Sequence, residues 1–67
     1  MEVIVNNKPH TLSEKSTIQE LLNQLDLPSQ QGIAVAINQA IIPKTDWENT
    51  QLSNQDKVMI ITATQGG

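Results

Sequence analysis

Residues 1 to 6 alternate, with Met1, Val3 and Val5 on one side of an extended chain and Glu2 and Ile4 on the other, as in a half-buried strand. Asn6-Asn7-Lys8 interrupts this pattern. Asparagine tolerates left-handed backbone geometry, so the tripeptide is expected to close an antiparallel hairpin onto a second short strand around His10 and Leu12. Thr17-Ile18-Gln19-Glu20 has the form of a helix capping box, in which the Thr17 hydroxyl accepts from the Glu20 backbone while the Glu20 side chain reaches back. Ile18, Leu21, Leu22 and Leu25 then recur on one helical stripe, and Pro28 ends the helix within a few residues.

After Gly32, Ile33-Ala34-Val35-Ala36-Ile37 reads as a strand buried, or nearly so, on both faces, with the small alanines on the more crowded side and a place in the middle of the sheet. Asn38-Gln39 turns the chain into a short strand, Ala40-Ile41-Ile42, which Pro43 ends in the manner of an edge. Residues 44 to 56 are polar and predicted irregular, with Trp47 packing over the edge of the core or capping the Pro43 loop. The last strand is Val58-Met59-Ile60-Ile61-Thr62. Residues 63 to 67 have nothing apolar enough to hold them and are expected to hang free.

The order hairpin, helix, buried strand, edge strand and final strand predicts an α+β chain of the β-grasp, ubiquitin-like type. A mixed sheet of four to five strands packs on one main helix, and the first and last strands lie side by side in parallel. This domain covers residues 1–62, and a flexible tail covers 63–67. If Val58 and Ile60 face the helix, Met59 and Ile61 face the other side of the sheet together with Ile4, where no second helix is available. Clustered exposed apolar residues of this kind commonly form a docking surface.

Composition narrows the chemistry. The chain has 67 residues and no cysteine, so neither a disulfide framework nor a cysteine metal site supplements its small core. Fourteen Asn and Gln residues interleave with the helix and strand periods and form no tract, which argues against a low-complexity chain. The net charge of −3, the lack of arginine and the single aromatic residue point away from nucleic-acid binding. The apolar start of MEVIVNNK is too brief for a signal sequence or a membrane span, so a cytoplasmic location and no membrane partner are expected. His10, the only imidazole, has no second His or Cys to make an ordinary metal site. Asp46 and Glu48 read as solvated acids rather than an acid/base pair, and the serines and Thr17 as caps and turn residues.

The remaining candidate is the C-terminal Gly66-Gly67. A terminal carboxylate is ionised at neutral pH, with a reference pKa of about 3.5, and is a poor electrophile. Joined to AMP it becomes a mixed anhydride that a sulfur nucleophile converts to a thiocarboxylate. Glycine lacks a Cβ and can enter a narrow channel, while five extended residues reach about 17 Å from the last strand. Gly67 is therefore the expected attachment point, with Gln65 and Gly66 threading into a partner.

The MEVIVNNK start, the helix from Ile18 to Leu25, Ala34-Val35-Ala36-Ile37-Asn38, Ile42-Pro43-Lys44 with Trp47, and Gly66-Gly67 together make the whole chain resemble the ThiS family, the sulfur carriers of thiamine biosynthesis. The resemblance implies a carrier that is not itself an enzyme. An adenylating enzyme would use ATP and magnesium to activate Gly67, a persulfide protein would donate sulfur, and a thiazole synthase would consume it. The carrier would bind no cofactor and be a monomer when free. Lys44 stands where that family usually has arginine after proline, which keeps the charge and loses a planar two-donor fork. Two other readings are a molybdopterin-synthase small subunit, whose family usually has a longer and more aromatic chain, and a ubiquitin-like interaction module with an idle tail.

Overall fold

The computed structural model describes residues 1–25 and 32–62. β1 (Glu2–Val5) and β2 (Lys8–Thr11) form the first hairpin, α1 (Ile18–Gln24) follows, and β3 (Ile33–Ile37) and β4 (Ala40–Ile42) form the second hairpin. A 3-10 turn at Lys44–Asp46 precedes β5 (Lys57–Thr62). The five strands make one mixed sheet in the order β2-β1-β5-β3-β4. β1 and β5 are parallel, with Ile4 beside Lys57 and Val5 beside Val58, and the other pairings are antiparallel. The expected ubiquitin-like order and the side-by-side first and last strands are both present. The middle strand is β5, whereas β3 lies one place towards the edge.

Both hairpins close through two-residue loops in which each residue has positive φ: Asn6 (48°) and Asn7 (70°), then Asn38 (49°) and Gln39 (75°). Such loops twist in the same sense as the strands they join, and asparagine accepts their left-handed geometry more readily than most residues.

The helix begins where three neighbours satisfy its free N–H groups. The Thr17 hydroxyl accepts from the Glu20 backbone at 3.2 Å, and the Glu20 carboxylate accepts from the Thr17 backbone at 2.9 Å, completing the predicted capping box. The Ile18 and Gln19 N–H groups donate to the carbonyls of Thr50 and Trp47, at 3.0 and 3.1 Å. A helix start leaves these donors without intrahelical partners, so the segment after the 3-10 turn is held against it. Leu52 N–H donates to Ser16 O at 2.8 Å, and Thr17 and Gln51 form an isolated bridge.

Residues 44 to 56 are consequently more ordered than their polarity suggests. Trp47 is 1% exposed and among the largest fully buried side chains, rather than lying over the edge of the core. Its Nε1 donates to Ile42 O at 2.9 Å, so the indole fills apolar space without stranding its one polar atom. Leu52 is buried beside it, with Val3, Val5, Leu12, Ile18, Leu21, Leu22, Val35 and Val58.

β3 is buried or half-buried on both faces, as expected, with Val35 and Ala36 buried and Ile33, Ala34 and Ile37 half-buried. Val35 belongs to the helix-side core, and Ile33 and Ile37 pack against it. Ala34 and Ala36 therefore lie on the opposite, helix-free face. On that face Ala36 is paired with both Met59 and Ile41.

Trp47→Phe should lower folding stability by about 1–3 kcal/mol, through the cavity left by the smaller ring and the loss of the donor to Ile42 O. A urea midpoint equal to that of wild type would show that the indole is not a core element.

Candidate functional site

The sheet has one helix-covered face and one bare face among the described residues. Strand alternation puts Ile4 of β1, Met59 and Ile61 of β5, Ala34 and Ala36 of β3, and Ile41 of β4 on the bare face. Their exposure is uneven: Ile41 is 66% exposed, Met59 52% and Ile61 49%, while Ile4 and Ala34 are half-buried and Ala36 is buried. The alanines form a shallow floor between taller side chains. A hollow of about 470 Å³ opens on this side, with Ile4, Ala36 and Met59 supplying apolar lining and Asn6, Asn38 and Lys57 its polar margin.

Two of the three residues expected to form a docking surface, Met59 and Ile61, project from the central strand. Ile4 joins them across the parallel pairing, although it is half-buried. Ile41 was not among the expected surface residues, yet it is the most exposed of the large apolar side chains among the described residues. Strand alternation alone requires Ile41 and Ile42 to face opposite sides. The pairing of Val35 with Ile42 and of Ala36 with Ile41 decides which one turns outward.

The main chain around β5 is held on both sides. Asn6 Oδ1 accepts from Ile60 N–H at 2.9 Å, and Asn6 Nδ2 donates to Ile60 O at 3.2 Å. Asn38 Oδ1 accepts from Lys57 N–H at 3.0 Å, and its Nδ2 donates to Asp56 Oδ1 at 3.1 Å. Asp56 Oδ2 in turn accepts from Ser53 N–H at 2.8 Å. Both hairpin asparagines thus serve as turn residues and as brackets on the central strand.

Gln65, Gly66 and Gly67 lie outside the described residues, as does the expected free course of residues 63–67. Thr62, the last residue of β5, pairs with Ile33, so the described residues end on the central strand. Lys44 is exposed at the start of the 3-10 turn. His10 is half-buried on β2 and shares a smaller hollow with Lys8, Leu25 and Thr62. Asp46 and Glu48 are exposed, and no group of three or more His, Cys, Asp or Glu gathers among the described residues. No helix among them is long and apolar enough to cross a membrane.

The ThiS family model matches residues 3–67, a stretch that includes the terminal Gly66-Gly67. The chain belongs to the ThiS family. The sulfur carrier protein ThiS of Escherichia coli strain K12 is 33% identical over 67 residues, covering all of both chains. A thiazole synthase of Paramagnetospirillum magneticum is 28% identical over the whole of this chain, which corresponds to 20% of that larger protein. The crystal structure of the thiamine biosynthesis protein ThiS from Geobacter metallireducens superposes with a TM-score of 0.86 at 26% identity, covering all of both chains. The bare sheet face, the central β5 and the terminal glycines therefore occur together in a ThiS-family chain.

Ile41→Asp should alter folding stability by no more than about 0.5 kcal/mol, since Ile41 is 66% exposed on an edge strand. A loss of several degrees in melting temperature would place the side chain in the core.

Proposed function

We propose that this chain is a sulfur carrier for building the thiazole ring of thiamine, with the carried atom on the carboxyl group of Gly67. The family match through residue 67 is the observation that carries this reading, and the full-length similarity to the Escherichia coli carrier supports it. A carboxylate oxygen of Gly67 attacks the α-phosphorus of ATP in an adenylating enzyme, which uses magnesium, and pyrophosphate leaves. The terminal sulfur of a protein persulfide then attacks the acyl carbon and expels AMP. A thiol cleaves the resulting acyl disulfide, forming a new disulfide and leaving the thiocarboxylate. A thiazole synthase takes the sulfur, and the carrier regains its carboxylate. The stretch of the Paramagnetospirillum magneticum thiazole synthase that resembles this chain favours such a partner.

In this scheme the folded domain supplies recognition rather than reaction, and the chain is a substrate of its partners and not an enzyme. Ile4, Met59 and Ile61, joined by Ile41, form an apolar patch around an alanine floor that suits a complementary apolar surface. Met59 adds an adaptable side chain that more than one partner can accommodate. Gln65 and Gly66 thread the narrow approach to the adenylating site, where a missing Cβ allows close passage. The reactions take place in the cytoplasm, and the free carrier is a monomer.

Incubation with an adenylating enzyme, ATP, magnesium and a persulfide donor should raise the mass of the chain by about sixteen units as sulfur replaces oxygen. An unchanged mass, with the same enzyme active on an established carrier, would sink the proposal. Appending one alanine after Gly67 should abolish the gain while leaving the fold intact, because the activated carbon then sits one residue too far along. Ile61→Asp should still fold and should weaken binding to the adenylating enzyme by roughly tenfold or more, as expected for a central apolar contact. Wild-type affinity would remove this face from the interface.

A further inference from the structure

β1 ends too early to support the whole of β5. The parallel ladder runs from Ile4 N–H to Asp56 O and from Asn6 N–H to Val58 O, each at 2.9 Å. In a continuing parallel ladder, the next acceptor for Ile60 N–H would be the Asn6 carbonyl, and the next donor to Ile60 O would come from two residues further on. Neither is in place, because Asn6 and Asn7 have turned into the positive-φ loop. The Asn6 side chain makes both bonds instead, through Oδ1 at 2.9 Å and Nδ2 at 3.2 Å. One carboxamide thus stands in for a missing peptide group and extends support on the β1 side by a further step. On its other side β5 remains paired with β3 as far as Thr62.

From this geometry we propose that Asn6 is a positioning residue for the reactive tail. The inference rests on the carrier reading above and adds a residue outside the proposed docking set, at the polar margin of the hollow beside Ile4 and Met59. Ile60 lies between Met59 and Ile61, two residues before the end of β5. By fixing its peptide on the β1 side, Asn6 keeps the strand from peeling away beyond Val58. That fixes the end of β5, the last described segment before Gly66-Gly67. If that end slips back by several residues, the terminal carboxylate samples a larger volume and spends less time in the adenylating site, which lowers its effective concentration there. The asparagine also satisfies the loop's left-handed geometry, so its two roles must be separated.

Asn6→Gly separates them, since glycine keeps the loop and deletes the carboxamide. Amide exchange followed by NMR should speed up at Ile60 by roughly tenfold or more, as expected for losing an acceptor at a strand end. Exchange at Val35 in the core should remain as in wild type. Asn38→Gly, which removes the matching bracket at the start of β5, should speed exchange at Lys57 and leave Ile60 unchanged. With an adenylating enzyme, ATP and magnesium, single-turnover formation of the acyl-adenylate on Asn6→Gly should be slowed by about tenfold at saturating enzyme, the cost of a misplaced reacting group. Unchanged exchange at Ile60, or an equal rise at Ile60 in both variants, would overturn the clamp. So would faster exchange at Ile60 with adenylation at the wild-type rate. A wild-type chain that takes no AMP from an enzyme active on an established carrier would instead overturn the carrier reading, and this inference with it.

Discussion

A seven-residue helix can cover only one side of a five-stranded sheet, and this one-sided cover governs the rest of the molecule. Apolar side chains beneath α1 leave water and supply most of the folding free energy, at about 25 cal/mol for each Å² buried. On the other face Ile41, Met59 and Ile61 keep about half or more of their surface in water. In so short a chain the core must draw on every segment that can reach it, including the polar stretch that contributes Trp47 and Leu52. Stability thus rests mainly on the helix-covered face, while the bare face carries the proposed docking patch.

The central position of β5 connects that division to function. The strand alternates Val58 and Ile60 inward with Met59 and Ile61 outward, so one short segment contributes to the core and to the proposed docking patch. It also leads directly into the tail that ends in Gly66-Gly67. Neighbouring strands hold it on both flanks, and where they turn away Asn6 and Asn38 bond to its main chain or to the residue preceding it. In the proposed carrier role, a reactive group at Gly67 benefits from a fixed end to β5, because angular error at the root of a chain grows with distance.

The order of elements was legible because each had a local cause. The Thr17–Glu20 capping box marked the helix start, the Ile18, Leu21, Leu22 and Leu25 stripe its buried face, and the turns at Asn6-Asn7-Lys8 and Asn38-Gln39 the two hairpins, although Lys8 itself belongs to β2. Membership of the ThiS family was legible for a related reason: the resemblance ran through the whole chain and included the terminal glycines. The indole does bond at the Pro43 loop, through Nε1 to Ile42 O, but its full burial was not legible, because nothing in a polar run shows that its backbone will satisfy the start of a distant helix.

By itself, the sequence determined the element types, the alternation of β1 and β5, and the chemical character of the Gly66-Gly67 end, since these depend on residues adjacent in the chain. Tertiary structure decided which strand lies in the middle, which side of β3 meets the helix, that Ile41 rather than Ile42 faces water, and that the Asn6 carboxamide reaches a peptide 54 residues away. These outcomes depend on cross-strand register and on backbone groups seeking partners, and neither is encoded within a local stretch of side chains.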